Sequence, residues 1–203
     1  QEVPDVWKKG RSLPIYEGNG KFTDASNFRI ITITPPTRKI FEILNKQHLQ
    51  RCSNLSPIQG GFVKNRGCIE NLTILHSFIS EKKVEDIGMV LLDIKSAFDK
   101  INRDKLWERM NIKGFDETMV NTLRKLYHGS GTTLDIPNNL NSSKEMIPLV
   151  NGVQQGGPVS SDLFNVYIDL IKYALPSSLL DMEDYGNNEK FQLEQIGKKL
   201  LIL

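Results

Sequence analysis

The chain has 203 residues, of which 39% are hydrophobic and 25% charged, with a formal net charge of +2. These values exclude wholesale disorder and leave room for one or two domains that bury a core without disulfides. No apolar run approaches the roughly 18 residues that a membrane span needs. The N-terminus has no signal-peptide core, so a reducing, intracellular compartment without membrane partners is the expectation. The first residue is glutamine rather than methionine, which points to a fragment. Cys52, Cys68, His48, His76 and His128 lack the spacing of zinc ligands and read as packing or surface residues. Residues 1–113 hold 19 Lys and Arg against 13 Asp and Glu, or +6, whereas residues 114–203 hold 7 against 11, or −4. A basic first half can steer a polyanion, although solvated helix faces give similar counts.

Residues 1–27 are rich in Pro, Gly and Asn and read as irregular or hairpin structure. Phe28 to Thr34 alternates as a strand does, and Pro35-Pro36 stops it. From Thr37, a plausible N-cap, Ile40, Ile43, Leu44 and Leu49 recur near the helical period and predict a buried face. The loop Gln59-Gly60-Gly61-Phe62 leads to a second helix with Ile69, Leu72, Leu75, Phe78 and Ile79 on one side. Ile87 to Leu92 is a short apolar run, the pattern of a strand covered on both faces. Helices are expected from about 103 to 110 and from Asp116 to His128, with Asp116 as cap and Gly129 as stop. Leu134 to Val150 suggests a hairpin around Asn138-Asn139. Ser161 is expected to cap a helix with Leu163, Tyr167, Leu170, Ile171 and Ala174 inward, ended by Pro176. Lys199 to Leu203 looks like the start of a strand. Without regular βαβ alternation, the fold class is α+β.

Three stretches carry candidate chemistry. Leu91-Leu92-Asp93-Ile94-Lys95-Ser96-Ala97-Phe98-Asp99 places a carboxylate at the exit of a buried strand, where a divalent cation would offset its cost; Asp93 could equally be an N-cap. Gly152 to Asn165 is a Gly-rich loop running into a helix, able to approach a phosphate or base pair closely, or else a plain connector. Asn27-Phe28-Arg29 sets an arginine on a short strand, suited to gripping a triphosphate as a fork unless it is an ordinary surface residue.

In this order the stretches resemble the reverse transcriptase domain of non-LTR (LINE-type) retrotransposons over most of the chain. Pro14-Ile15-Tyr16 and Asn27 to Thr32 are similar to the entry into the fingers, and Lys39 to Leu44 with Gln59 to Phe62 to the next fingers blocks. Residues 91–99 resemble polymerase motif A and residues 152–165 motif B. The resemblance implies a right-hand polymerase fold, with a fingers-like region over 1–86 and a partial palm over 87–203 interleaved with fingers elements. It implies RNA-directed DNA synthesis, with an RNA template, a DNA primer, dNTPs, and Mg²⁺ or Mn²⁺. Asp93 matches the catalytic motif A carboxylate that binds the metal ions, with the Ile94 carbonyl as a further ligand. Phe98 matches the bulky residue that excludes a ribose 2′-OH. Arg29 matches the triphosphate arginine, with Lys21 as a looser companion. Gln155 and Gly156 match the pair that lies against the incoming nucleotide and template base. Asp99 is expected to be structural.

Departures accompany the match. Glu17 stands where relatives often carry lysine, Pro35-Pro36 interrupts an apolar stretch, and Ser161 replaces a usual proline. The second catalytic motif, Tyr/Phe-x-Asp-Asp, is absent. Asp181, Glu183 and Asp184 lack apolar flanks and are not ligand candidates, and the strand at 198–203 is expected to stop just short of that motif. The fragment is expected to be inactive by itself; a nucleic-acid-binding remnant, a group II intron maturase-like enzyme and an RNA-dependent RNA polymerase are the alternatives, the last opposed by the bulk of Phe98.

Overall fold

A computed structural model describes residues 2–18, 20–57, 59–81, 89–90, 93–94, 96–135, 145–169 and 199–200. In chain order the elements are β1 (Lys9–Tyr16), β2 (Phe28–Ile33), α1 (Pro36–Cys52), α2 (Cys68–Glu81), β3 (Met89–Val90), α3 (Arg103–Ile112), α4 (Glu117–Tyr127), β4 (Gly131–Leu134), β5 (Ile147–Pro148), α5 (Ser160–Ile168) and β6 (Lys199–Leu200). The mixture of helices with small sheets agrees with the expected α+β class. Two compact units form, one from residues 1–54 and 96–167, the other from 55–95 and 168–203. Among the described residues no helix is long and apolar enough to cross a membrane.

The first unit is built on a four-stranded sheet of order β2-β1-β4-β5. β1 pairs antiparallel with β2, Arg11 opposite Ile33 through Tyr16 opposite Phe28, and parallel with β4. Within the sheet Ser12 joins two neighbours through its hydroxyl, with Oγ 2.9 Å from Thr32 Oγ1 and 2.8 Å from Thr132 Oγ1. Three buried hydroxyls thereby satisfy one another, as burial demands. The core gathers Leu49 from α1, Leu106, Trp107 and Met110 from α3, Val120, Leu123 and Leu126 from α4, and Val159, Leu163 and Val166 from the segment around α5. Each such apolar side chain contributes about 1.5–3 kcal/mol on burial. Asp116 caps α4 as expected, accepting from the Met119 N–H at 3.0 Å.

α1 keeps Leu49 of its predicted face inside and turns Ile40, Ile43 and Leu44 outward. It buries Arg38 and Glu42 as well. The inward row follows the helical period from Arg38 through Glu42 to Leu49, so an ion pair at the start of the helix joins an apolar contact near its end. Arg38 Nε donates to Glu42 Oε1 at 2.7 Å and Nη1 to the Trp7 carbonyl at 3.0 Å. Thr37 is not the cap: the helix starts at Pro36, behind Pro35, with no side-chain cap bond. α5 begins one residue before the expected cap Ser161, and Ser160 Oγ donates to the Gln154 carbonyl at 2.6 Å. The expected hairpin after Leu134 has its strands at β4 and β5, paired antiparallel; its turn lies outside the described residues.

In the second unit Arg66 Nη1 donates to the carbonyls of Pro57 and Gln59, and Asn71 Nδ2 to that of Gly60 at 3.4 Å, so the Gln59–Phe62 loop is tied to α2. Ile69 and Leu72 of α2 are exposed, against expectation, and Leu75 and Ile79 are half-buried. Of the strand predicted at 87–92, Met89 and Val90 are described, and they pair in parallel with Lys199 and Leu200. The helix positions predicted inward at Leu170, Ile171 and Ala174, and residues Asp181 to Asp184, lie outside the described residues.

Candidate active site

In the first unit the Gly-rich loop from Gly152, called the motif B loop after the motif its sequence resembles, is clasped by two neighbours. On one side is the turn at Ser96 to Lys100. Val153 N–H donates to the Phe98 carbonyl and Gly152 N–H to the Ile101 carbonyl, each at 2.9 Å. Gly152 has φ +76°, and a Cβ there would lie 2.7 Å from both Asp99 Cα and the Phe98 carbonyl oxygen, so only glycine permits the approach. On the other side is β2, where Thr32 N–H donates to the Gln155 carbonyl at 2.9 Å. Gly156, at φ +102°, lies against the Thr32 carbonyl, 3.1 Å from the position its Cβ would take. Thr32 is itself anchored by Ser12, so the central sheet sets the position of the loop.

The side chains follow from this backbone. Phe98 is half-buried and stacks on Phe164 of α5, with ring centroids 5.1 Å apart and planes 20° apart. Gln155 turns its amide to Asp99, with Nε2 3.3 and 3.5 Å from the carboxylate oxygens. The structural role expected for Asp99 therefore takes the form of a contact with a candidate site residue. Arg29 projects from β2, and Glu17 faces it. Lys21 is exposed in the β1–β2 connection, and its carbonyl accepts from Asp24 N–H at 3.0 Å and Asn27 Nδ2 at 2.9 Å. Phe98, Gln155 and Gly156 are thus brought together around one loop, and Arg29 stands three residues from Thr32 on the strand that holds that loop.

Asp93 and Ile94 belong to the second unit, and both are exposed. A carboxylate and a backbone carbonyl are the hard oxygen donors that Mg²⁺ takes, but they supply only part of its roughly octahedral shell. Among the described residues no group of three or more His, Cys, Asp or Glu is placed to hold a metal ion. Among the described residues the donors match in kind, and two of them are placed.

Arg103 was not visible as a site residue in the sequence. From the first turn of α3, Nε donates to the Gly152 carbonyl at 2.8 Å, Nη1 to the Tyr127 carbonyl at 2.9 Å and Nη2 to the Asn151 carbonyl at 3.3 Å. Its guanidinium lies 5.1 Å from the Tyr127 ring centroid, and that of Arg38 lies 5.2 Å from the same centroid. Burial pushes the Arg103 pKa down, partly opposed by Tyr127. Burial pushes the Tyr127 hydroxyl up, partly opposed by Arg38. The polar seam Arg38–Glu42–Tyr127–Arg103 thereby ties α1, α3 and α4 to the motif B loop.

A family model described as reverse transcriptase (RNA-dependent DNA polymerase) matches residues 8–182. The chain is 28% identical over 178 residues to the Retrovirus-related Pol polyprotein from type-1 retrotransposable element R2 of Popillia japonica, covering 87% of this chain and 25% of that protein. It is 29% identical over 155 residues to the corresponding polyprotein from type-2 retrotransposable element R2DM of Drosophila melanogaster, covering 75% and 14%. It is 24% identical over 188 residues to the RNA-directed DNA polymerase from mobile element jockey of the same species, covering 89% and 20%. The chain therefore spans a quarter or less of the length of these curated relatives.

Proposed function

Because the chain belongs to the reverse transcriptase (RNA-dependent DNA polymerase) family, we propose that it forms the fingers and part of the palm of a retrotransposon polymerase that adds dNTPs to a primer 3′-OH on an RNA template. The observation that carries this reading is the motif B loop, held by backbone hydrogen bonds between the Phe98 turn and the strand that bears Arg29. Fingers are assigned to residues 1–86 and the partial palm to 87–203. These functional regions do not coincide with the compact units, since the first unit draws on both.

The roles follow from chemistry. Arg29 binds the triphosphate through parallel N–H donors. The Phe98 ring, backed by Phe164, occupies the volume a ribose 2′-OH would need. Gln155, steadied by Asp99, and Gly156 lie against the incoming base pair. Asp93 and the Ile94 carbonyl would hold a divalent cation, Mg²⁺ with Mn²⁺ as substitute, which supplies charge neutralisation for phosphoryl transfer when bound. A second reading, a remnant that binds nucleic acid without polymerising, is separated from the first by whether a full-length polymerase carrying this chain extends a primer.

The test is Asp93→Asn in a full-length polymerase carrying this chain. Primer extension should fall by more than about a thousandfold, because an amide supplies no charge to the cation. Template-primer affinity, which rests on Lys and Arg, should persist. Activity within tenfold of the parent removes Asp93 from the site, and a parent without activity favours the remnant. Phe98→Val should raise rNTP incorporation relative to dNTP; unchanged discrimination in primer extension would end the steric role.

A further inference from the structure

The hairpin of β1 and β2 carries an ion pair on the arginine that the proposed function needs for the triphosphate. Strand register builds it. Ile15 lies opposite Arg29, and Glu17, two residues further on, falls on the same face as the diagonal neighbour of Arg29. Glu17 N–H donates to the Asn27 carbonyl at 3.0 Å, which continues the ladder past the end of β1 and fixes that position. Arg29 turns its Nε–Nη2 edge to the carboxylate: Nε donates to Glu17 Oε1 at 2.8 Å, and Nη2 lies 2.8 Å from the same oxygen. This edge presents two parallel donors, the arrangement that grips a phosphate as a fork.

We infer that Glu17 is an affinity-setting residue, a built-in anion that occupies Arg29 until a nucleoside triphosphate displaces it; this rests on the proposed role of Arg29. Displacement is feasible because both side chains reach water, Arg29 at 62% exposed and Glu17 at 43%. An exposed pair is weak, and a triphosphate brings more charge and more acceptor oxygens to the same donors. Once released, the Glu17 carboxylate remains beside the polyphosphate and repels it. Competition and repulsion both weaken nucleotide binding, and neither touches the bond-forming step. A lysine at position 17 would add a second cation at this point, so the glutamate reverses the local charge of the hairpin face.

Steady-state primer extension by a full-length polymerase carrying this chain tests the inference through E17Q, R29A and the double variant. E17Q should lower the KM for dNTP about two- to fivefold with kcat unchanged. That decrease should vanish in the R29A background. In E17Q the KM should also climb more steeply with added KCl, because salt no longer weakens a competing pair while it screens the triphosphate. An unchanged or raised KM in E17Q overturns the inference, the latter making Glu17 a support that orients Arg29. Persistence of the decrease in the R29A background overturns it as well. R29A by itself separates the two levels. A KM raised by R29A with no response to E17Q removes only the Glu17 assignment, whereas no response to R29A removes the triphosphate role of Arg29 and the inference with it.

Discussion

Arg38 and Glu42 meet at 2.7 Å with neither side chain exposed, whereas Arg29 and Glu17 meet at 2.8 Å with about half of theirs in solvent. The same two functional groups at nearly the same distance are therefore suited to opposite tasks. Inside the first unit the pair lies beside Tyr127 and close to the motif B loop, with Glu42 Oε2 3.3 Å from the position a Cβ would take on Gly157. Removing one partner there strands a charge that water cannot reach. On the hairpin either partner can leave, because water replaces it at little cost. Burial, rather than geometry, separates the pair that must stay intact from the one that can open to solvent.

The comparison can be broken most severely at Glu42. Glu42→Ala should cost about 3–5 kcal/mol of unfolding free energy by leaving Arg38 buried without its carboxylate. Denaturant titration measures it, and a loss below about 1 kcal/mol would mean that Arg38 finds water or another acceptor. Arg103→Met should come next, at about 1.5–3 kcal/mol, because three backbone carbonyls lose a charged donor. The same titration applies, and a neutral result would show that solvent replaces the guanidinium at the loop. Arg29→Ala should be smallest on this scale, within about 1 kcal/mol of the parent. Under the proposed function its effect falls on activity instead, a dNTP KM raised about tenfold or more, as loss of a charge-assisted hydrogen bond would give. A fall in thermal stability as large as that of Glu42→Ala would erase the distinction between the two pairs.

Local signals in the sequence proved dependable where the chain makes its own decisions. The strand at Phe28, the cap at Asp116 and the Gly-rich loop before α5 all rest on short-range backbone chemistry, and all three stand where expected. The face of α1 was not legible, because periodicity reasoning assigns apolar residues to the interior. Here a salt bridge and a cation over an aromatic ring share the inner face with Leu49, leaving Ile40, Ile43 and Leu44 outside. Arg103 left no pattern at all, since its acceptors are backbone carbonyls, which every residue possesses. Of the candidate site, the grouping of Phe98, Gln155 and Gly156 was readable from two motifs, but the Glu17 contact required the register of β1 against β2.

Gly152 touches no ligand in the proposed mechanism, yet it has almost no mutational freedom. Any side chain there must push against the main chain of Phe98 and Asp99, at 2.7 Å, and must also adopt a backbone conformation that L-residues rarely take. Its neighbour Asn151 is exposed and contributes a main-chain carbonyl to Arg103, so its own side chain is open to drift. Among diverging copies of such a chain, the two positions would serve as a paired clock. Change at 151 would mark elapsed time, and change at 152 would mark the copy in which selection on the Phe98 turn had ceased.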